Sequence, residues 1–188
     1  MRRRLVLGAL ACAVSPLSLA AEQSIWPRLR RGGLVLLMRH ASTEPGLGDP
    51  PGFKLDDCAT QRNLSEAGRE EARRVGERLR REKVPVARVY TSPWCRCRET
   101  ATLAFGQADD WEPLESFFDF PHREADFNER VKRRIAGYAS RRNAGNVVMV
   151  THNVNIAALT RLSVATGEIV VVRPDGCCGV RTVERLRI

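Results

Sequence analysis

No two cysteines in this 188-residue chain are spaced C-x-x-C, which removes the common zinc-ribbon and thioredoxin-like arrangements. There is no internal repeat and no low-complexity tract. Aromatic residues make up only 6% of the chain, and its many arginines are scattered over several helical segments. A nucleic-acid partner is therefore not expected, despite a formal charge of +9. No segment reaches the roughly 20 apolar residues that a membrane-spanning helix needs, so stable membrane insertion is not expected either.

What is present suits one ordinary domain with a proper core. The first twenty residues stand apart. Arg2, Arg3 and Arg4 precede a short apolar run and a small-residue stretch ending Ser18-Leu19-Ala20. That is the layout of a secretory signal peptide, with cleavage expected after Ala20 and residues 21–188 forming the mature domain. Cys12 lies where a lipoprotein cysteine would, but Ala9 replaces the leucine expected three residues before it; the arginines leave twin-arginine export open. The expected product is exported and periplasmic. Losing three arginines and no acids lowers its formal charge to +6, a balance that favours anionic partners. Five cysteines survive, and an oxidising compartment favours disulfides with at least one thiol left over.

Apolar runs recur at 34–38, 86–90, 147–150 and 169–172, rich in β-branched residues or leucine, as strands buried on both faces are. Helical patterns lie between them. In 65–83, Ala72, Val75, Gly76 and Leu79 share one face, with Ser65 as a plausible N-cap. Phe127, Val131, Ile135 and Tyr138 repeat the pattern, and a shorter helix is expected after Asn153. This alternation predicts an α/β fold: a three-layer sandwich with a mostly parallel central sheet flanked by helices. A loop rich in Pro and Gly, 42–57, is long enough to be functional.

Ligands in such sheets bind beyond the carboxyl ends of the strands, where this chain places its unusual polar residues. One run ends in Arg39-His40, another leads into Arg96, and a third ends in Thr151-His152-Asn153. Guanidinium forks match phosphate oxygens, and a neutral imidazole is a competent nucleophile toward phosphorus. The remaining histidine, His122, reads as structural.

The stretches "LMRHAST", "RNLSEAGREEA", "VYTSPWCRCRETA" and "VVMVTHNVNI" resemble, in order and spacing, the signatures of the histidine phosphatase (phosphoglycerate-mutase-like) superfamily. The nearest likeness is to small bacterial members of the phosphohistidine phosphatase and exported lipopolysaccharide-core heptose phosphatase types. The resemblance implies a phosphoric monoester hydrolase with no metal or other cofactor, acting through phosphorylated His40. Its other catalytic residues would be Arg39, Arg96 and His152, with Glu115 as proton donor and Asp119 as a rival donor. Arg62, Thr43 and Asn153 would contact substrate or phosphate.

The chain departs from the family at Ala41, where glycine is commonest, at Gly46, where many mutases carry asparagine, and at Asn153, where glycine is frequent. These changes favour phosphatase over mutase activity. The apparent lack of capping insertions suggests an open pocket for a phosphorylated small molecule or cell-envelope phosphate. Cys58 lies four residues before Arg62, and Cys95 and Cys97 flank Arg96; a bridge from Cys58 to one of that pair would tie the loop to the pocket rim. Cys177 and Cys178 read as free or paired elsewhere. An anion-binding module without turnover is the alternative reading.

Overall fold

The computed structural model describes residues 24–139, 145–176 and 179–188. The first twenty residues, expected to be a signal peptide, and the Cys177-Cys178 pair lie outside them. Six strands form one sheet in the order β3-β2-β4-β1-β5-β6: β1 Val35–Arg39, β2 Val86–Thr91, β3 Asp109–Asp110, β4 Asn146–Thr151, β5 Ile169–Asp175 and β6 Gly179–Leu186. The pairings β3–β2, β2–β4 and β4–β1 are parallel, whereas β1–β5 and β5–β6 are antiparallel. The sheet is thus parallel where the site residues lie and antiparallel at one side.

Alternation along each central strand divides the core in two. Leu36, Met38, Val148, Val150, Ile169 and Val171 pack with Leu29 of α1 (Trp26–Arg31), Val75 and Leu79 of α2 (Glu66–Arg81) and Ala101 of α3 (Cys95–Phe105). Val35, Leu37, Val147, Met149, Val170 and Val172 pack instead with Val131 and Ile135 of α4 (Glu124–Ala139) and Ile156 and Leu159 of α5 (Asn153–Thr160). Helices cover both faces, which is why these strands read as unbroken apolar runs.

Helix α2 buries the expected Ala72, Val75, Gly76 and Leu79, and the Ser65 hydroxyl caps it by accepting the Gly68 N–H at 3.1 Å. The helix also backs directly onto the loop after His40. A Cβ at Gly68 would lie 1.8 Å from the Ser42 carbonyl oxygen, a contact that backbone alone can relieve. Gly68→Ala is expected to cost about 1–3 kcal/mol in urea unfolding, because overpacked backbone has to shift. An unchanged midpoint would contradict this close approach.

Candidate active site

Three adjacent parallel strands deliver their carboxyl ends to one place. Arg39 closes β1 opposite Thr151 of β4, and the His40 N–H donates to the Thr151 carbonyl at 2.9 Å. His152 follows β4 at the N-cap position of α5, and the two imidazole centroids lie 5.4 Å apart. On the other side of β4, β2 runs out through Ser92 and Trp94 into the first turn of α3, which carries Arg96. Ala41, fully buried, needs no left-handed backbone; among the described residues only Lys83 and Arg161 adopt positive φ without being glycine.

The histidines are buried and neutral. His40 Nδ1 lies 2.9 Å from the Ala41 carbonyl oxygen, which can only accept, so Nδ1 carries the ring proton and Nε2 keeps its lone pair. Burial, then the charge of Arg96, lowers the pKa of His40 to about 3. His152 is held well below the ordinary histidine range by burial and then by Arg96. Its Nε2 is 3.0 Å from the Ser92 hydroxyl, which accepts the Trp94 N–H at 3.4 Å.

The sign of the stability effect follows. In the unfolded chain both rings protonate near pH 6.5, whereas in the native protein they resist protonation. Native stability contributed by these groups is therefore present above about pH 6.5 and is lost as pH falls, toward about 3 for His40. Each ring contributes a slope of about 1.4 kcal/mol per pH unit within its window. Urea midpoints measured between pH 7 and 4 should fall steadily, and inorganic phosphate should flatten the fall by favouring the protonated rings.

Three guanidinium groups surround the histidines. Arg39 donates through Nη1 to the Val164 carbonyl at 2.7 Å, and Arg62 through Nη1 to the Gly46 carbonyl at 2.6 Å. Arg96 donates through Nη1 to both oxygens of Asp49, at 2.9 and 3.0 Å. The Nε–H of each of the three is buried without a partner. Burial lowers the pKa of Arg39 and Arg62, and neighbouring arginines lower both further, as expected where positive charge is concentrated.

Asp49, from the Pro- and Gly-rich loop, had no periodic signal to mark it. Its side chain is 2% exposed and also accepts the Arg62 backbone N–H at 2.9 Å. Glu71 of α2 is a second unforeseen support: it accepts the Ser42 N–H at 2.8 Å and the Ser42 hydroxyl at 2.9 Å. Of the residues named from sequence, Thr43 pairs through its backbone with Leu64 at the edge of the site. Asn153 accepts the Val164 N–H at 2.8 Å, so it supports the segment whose carbonyl holds Arg39. His122 sits in a short turn, Pro121–Arg123, against Phe120.

Glu115 and Asp119 part company in the structure, since Glu115 is buried and Asp119 is exposed. The Glu115 carbonyl accepts the Asn155 Nδ2–H at 2.8 Å, and Thr151 Oγ1 donates to Leu114 O at 2.7 Å, anchoring this segment to β4 and α5. The carboxylate accepts Arg123 Nη1–H at 2.9 Å. Burial raises its pKa, and Arg123 opposes that rise without cancelling it.

A disulfide joins Cys58 to Cys95, next to Arg96, and Cys97 is a buried thiol 3.6 Å from His152 Nε2. Burial pushes the Cys97 pKa up to about 12, so it is not a reactive thiolate. Selective reduction of the bridge is expected to cost about 2–4 kcal/mol of stability. Mass spectrometry of alkylated native protein should find Cys97 unmodified until the chain is denatured. Among the described residues, no three His, Cys, Asp or Glu groups converge as metal ligands do, and no helix is long and apolar enough to cross a membrane.

Residues 35–120 match the model of the histidine phosphatase superfamily, branch 1. No curated protein matches the chain significantly. Among solved structures it is similar to the protein histidine phosphatase SixA complexed with tungstate, at 20% identity over 81% of this chain and 96% of that one, with a TM-score of 0.54. It is similar also to YhfR from Bacillus stearothermophilus, at 21% identity over 79% and 94%, TM-score 0.57. A phosphoserine phosphatase from Entamoeba histolytica in complex with 3-phosphoglyceric acid aligns at 13% identity over 82% and 97%, TM-score 0.57. At these identities the likeness establishes the shared fold. The family match contains Arg39, His40, Arg62 and Arg96, and the fold brings His152 to them; residues 35–120 thus carry the pattern of the histidine phosphatase superfamily, and the chain shares the fold of these solved structures.

Proposed function

We propose that this protein is an exported phosphatase that hydrolyses a phosphomonoester through a phosphohistidine on His40, without a metal ion. One observation carries the reading: three buried arginine Nε–H donors lack partners around two neutral histidines. Buried donors of this kind are costly unless a ligand accepts from them, and a phosphoryl group has the oxygens and the charge to do so.

In the first step the His40 Nε2 lone pair attacks phosphorus while the ester P–O bond breaks. The electron pair leaves on the alcohol oxygen, which takes the proton of Glu115. In the second, water attacks phosphorus and gives a proton to the Glu115 carboxylate; the P–N bond breaks and its electron pair returns to Nε2. Arg39, Arg62, Arg96 and His152 stabilise the charge spread over the phosphoryl oxygens, a task for which other phosphoryl-transfer sites use metal ions. The Arg96–Asp49 pair holds one guanidinium edge in place.

Relatives by fold are described as phosphatases of protein histidine and of phosphoserine, which supports the reaction class. Export rests on the basic and apolar first twenty residues, and the Cys58–Cys95 bridge suits an oxidising compartment. A phosphate-binding module without turnover is favoured only by Arg123, which pairs with the carboxylate meant to donate a proton.

The deciding experiment is phosphate release from an aryl phosphate in EDTA, with the quenched protein analysed for a phosphoryl group that is acid-labile and alkali-stable. Turnover with that adduct is expected. Strong EDTA inhibition reversed by one metal would overturn the proposal, as would tight phosphate binding with no turnover.

A further inference from the structure

Beside the phosphate clamp lies a second space, which shares Glu115 with the reaction above but whose apolar walls that reaction leaves unused. It is a cavity of about 410 Å³ whose walls include Phe53, Leu55, Trp94 and Phe120, with Glu115 and Arg123 on its polar side. Trp94 is the wall it shares with the clamp. The Arg96 guanidinium lies 4.5 Å from the Trp94 ring centroid, and the His152 ring meets that indole edge-on at 5.7 Å. Phe53 packs against the same indole at 4.6 Å.

The cavity is held open by fixed structure. The Cys58–Cys95 bridge ties the loop that carries Phe53 and Leu55 to the residue beside Trp94. Gln61 clamps the same loop, donating to the Lys54 carbonyl at 2.8 Å and accepting the Cys95 N–H at 3.0 Å. The Trp94 indole is only 2% exposed, so it backs the cavity, and the accessible apolar surface comes from the residues around it. Phe120, on the cavity wall, is 41% exposed, where an isolated protein gains nothing by displaying it.

We propose that this cavity receives the alcohol portion of the substrate, and that the substrate is the phosphomonoester of an aromatic or similarly flat, apolar alcohol. This rests on the phosphomonoester reading of the adjacent clamp. The volume falls within the range of small-ligand pockets and exceeds what a phosphoryl group needs. A polyol would strip water from several hydroxyls against Phe53, Leu55 and Phe120 and find in return only Ser116 and the already paired Glu115 and Arg123, which disfavours sugar phosphates. A ring is favoured by the same walls, through area removed from water against Phe53, Leu55 and Phe120 and through stacking on the exposed Phe120 ring.

The test compares 2-phenylethyl phosphate with glycerol 3-phosphate, two esters of primary alcohols that differ in the body attached. Acetyl phosphate, almost without a body, reports the phosphoryl chemistry alone. Wild type is expected to favour the phenylethyl ester at least about tenfold in kcat/KM. Phe120→Ala should reduce that preference to within about threefold, and Phe120→Trp should retain it, with circular dichroism confirming both folds. Acetyl phosphate turnover without discrimination between the esters would overturn the substrate class and leave the phosphatase reading standing. A preference that survives both Phe120→Ala and Phe53→Ala would likewise overturn it. No release from any of the three would overturn both readings together.

Discussion

His40→Ala is expected to reduce phosphate release on the order of 10⁴–10⁶-fold and to abolish the phosphoryl adduct. The residue stands at the centre of every feature of the site. Its Nδ1 proton is fixed by the Ala41 carbonyl, so Nε2 is available without deprotonation, and burial with Arg96 keeps it available down to about pH 3. The surrounding guanidinium groups stay charged throughout and cannot replace the lost nucleophile. Loss of activity alone would also follow from misfolding, so the variant carries a second expectation. Removing a ring that resists protonation should remove its share of the acid sensitivity, so stability should fall less steeply between pH 7 and 4 than in wild type. A variant that is inactive yet flatter in this profile has lost the nucleophile and kept the fold. Retained activity would move the covalent step away from His40.

The sequence was legible where chemistry and periodicity coincide. The runs at 34–38 and 147–150 correspond to β1 and β4 because each is buried on both faces, the run at 86–90 corresponds to β2, which is exposed at Ala87 and Arg88 and buried from Val89 onward, and Arg39, His40, Arg96 and His152 stood out as polar breaks near strand ends. Strand β6 was not legible: its residues are partly exposed, and a bulge opposite Val171 and Val172 breaks the alternation that marks a strand. Strand β5 was legible as a strand but not in direction, since an apolar run looks the same read parallel or antiparallel. The supports of the site were hidden for a related reason. Asp49, Glu71 and Ser92 reach it from a coil, a helix flank and a strand end through single hydrogen bonds or ion pairs, and no spacing announces such contacts. Trp94 belongs to a recognisable stretch, yet its role as a wall common to two spaces emerges only when Phe53, Phe120 and Arg96 are set around it.

The second large effect separates the acid from the clamp. Glu115→Gln is expected to slow hydrolysis of an alkyl phosphate about 10²–10⁴-fold, because an alkoxide leaves poorly unless it is protonated. An aryl phosphate, whose phenolate needs less help, should lose far less. Two opposed influences set the pH range over which Glu115 can act. Burial raises its pKa and Arg123 lowers it, and burial prevails. Because the donor must be protonated, alkyl phosphate hydrolysis should decline as pH rises through the pKa of Glu115, and that decline should be missing in Glu115→Gln. Arg123→Gln removes the opposing cation, so the carboxyl pKa rises and the decline moves to higher pH. A shift in the reverse direction, or equal losses for alkyl and aryl esters in Glu115→Gln, would exclude Glu115 as the proton donor. Asp119, exposed four residues further along the chain, would then be the next carboxylate to replace.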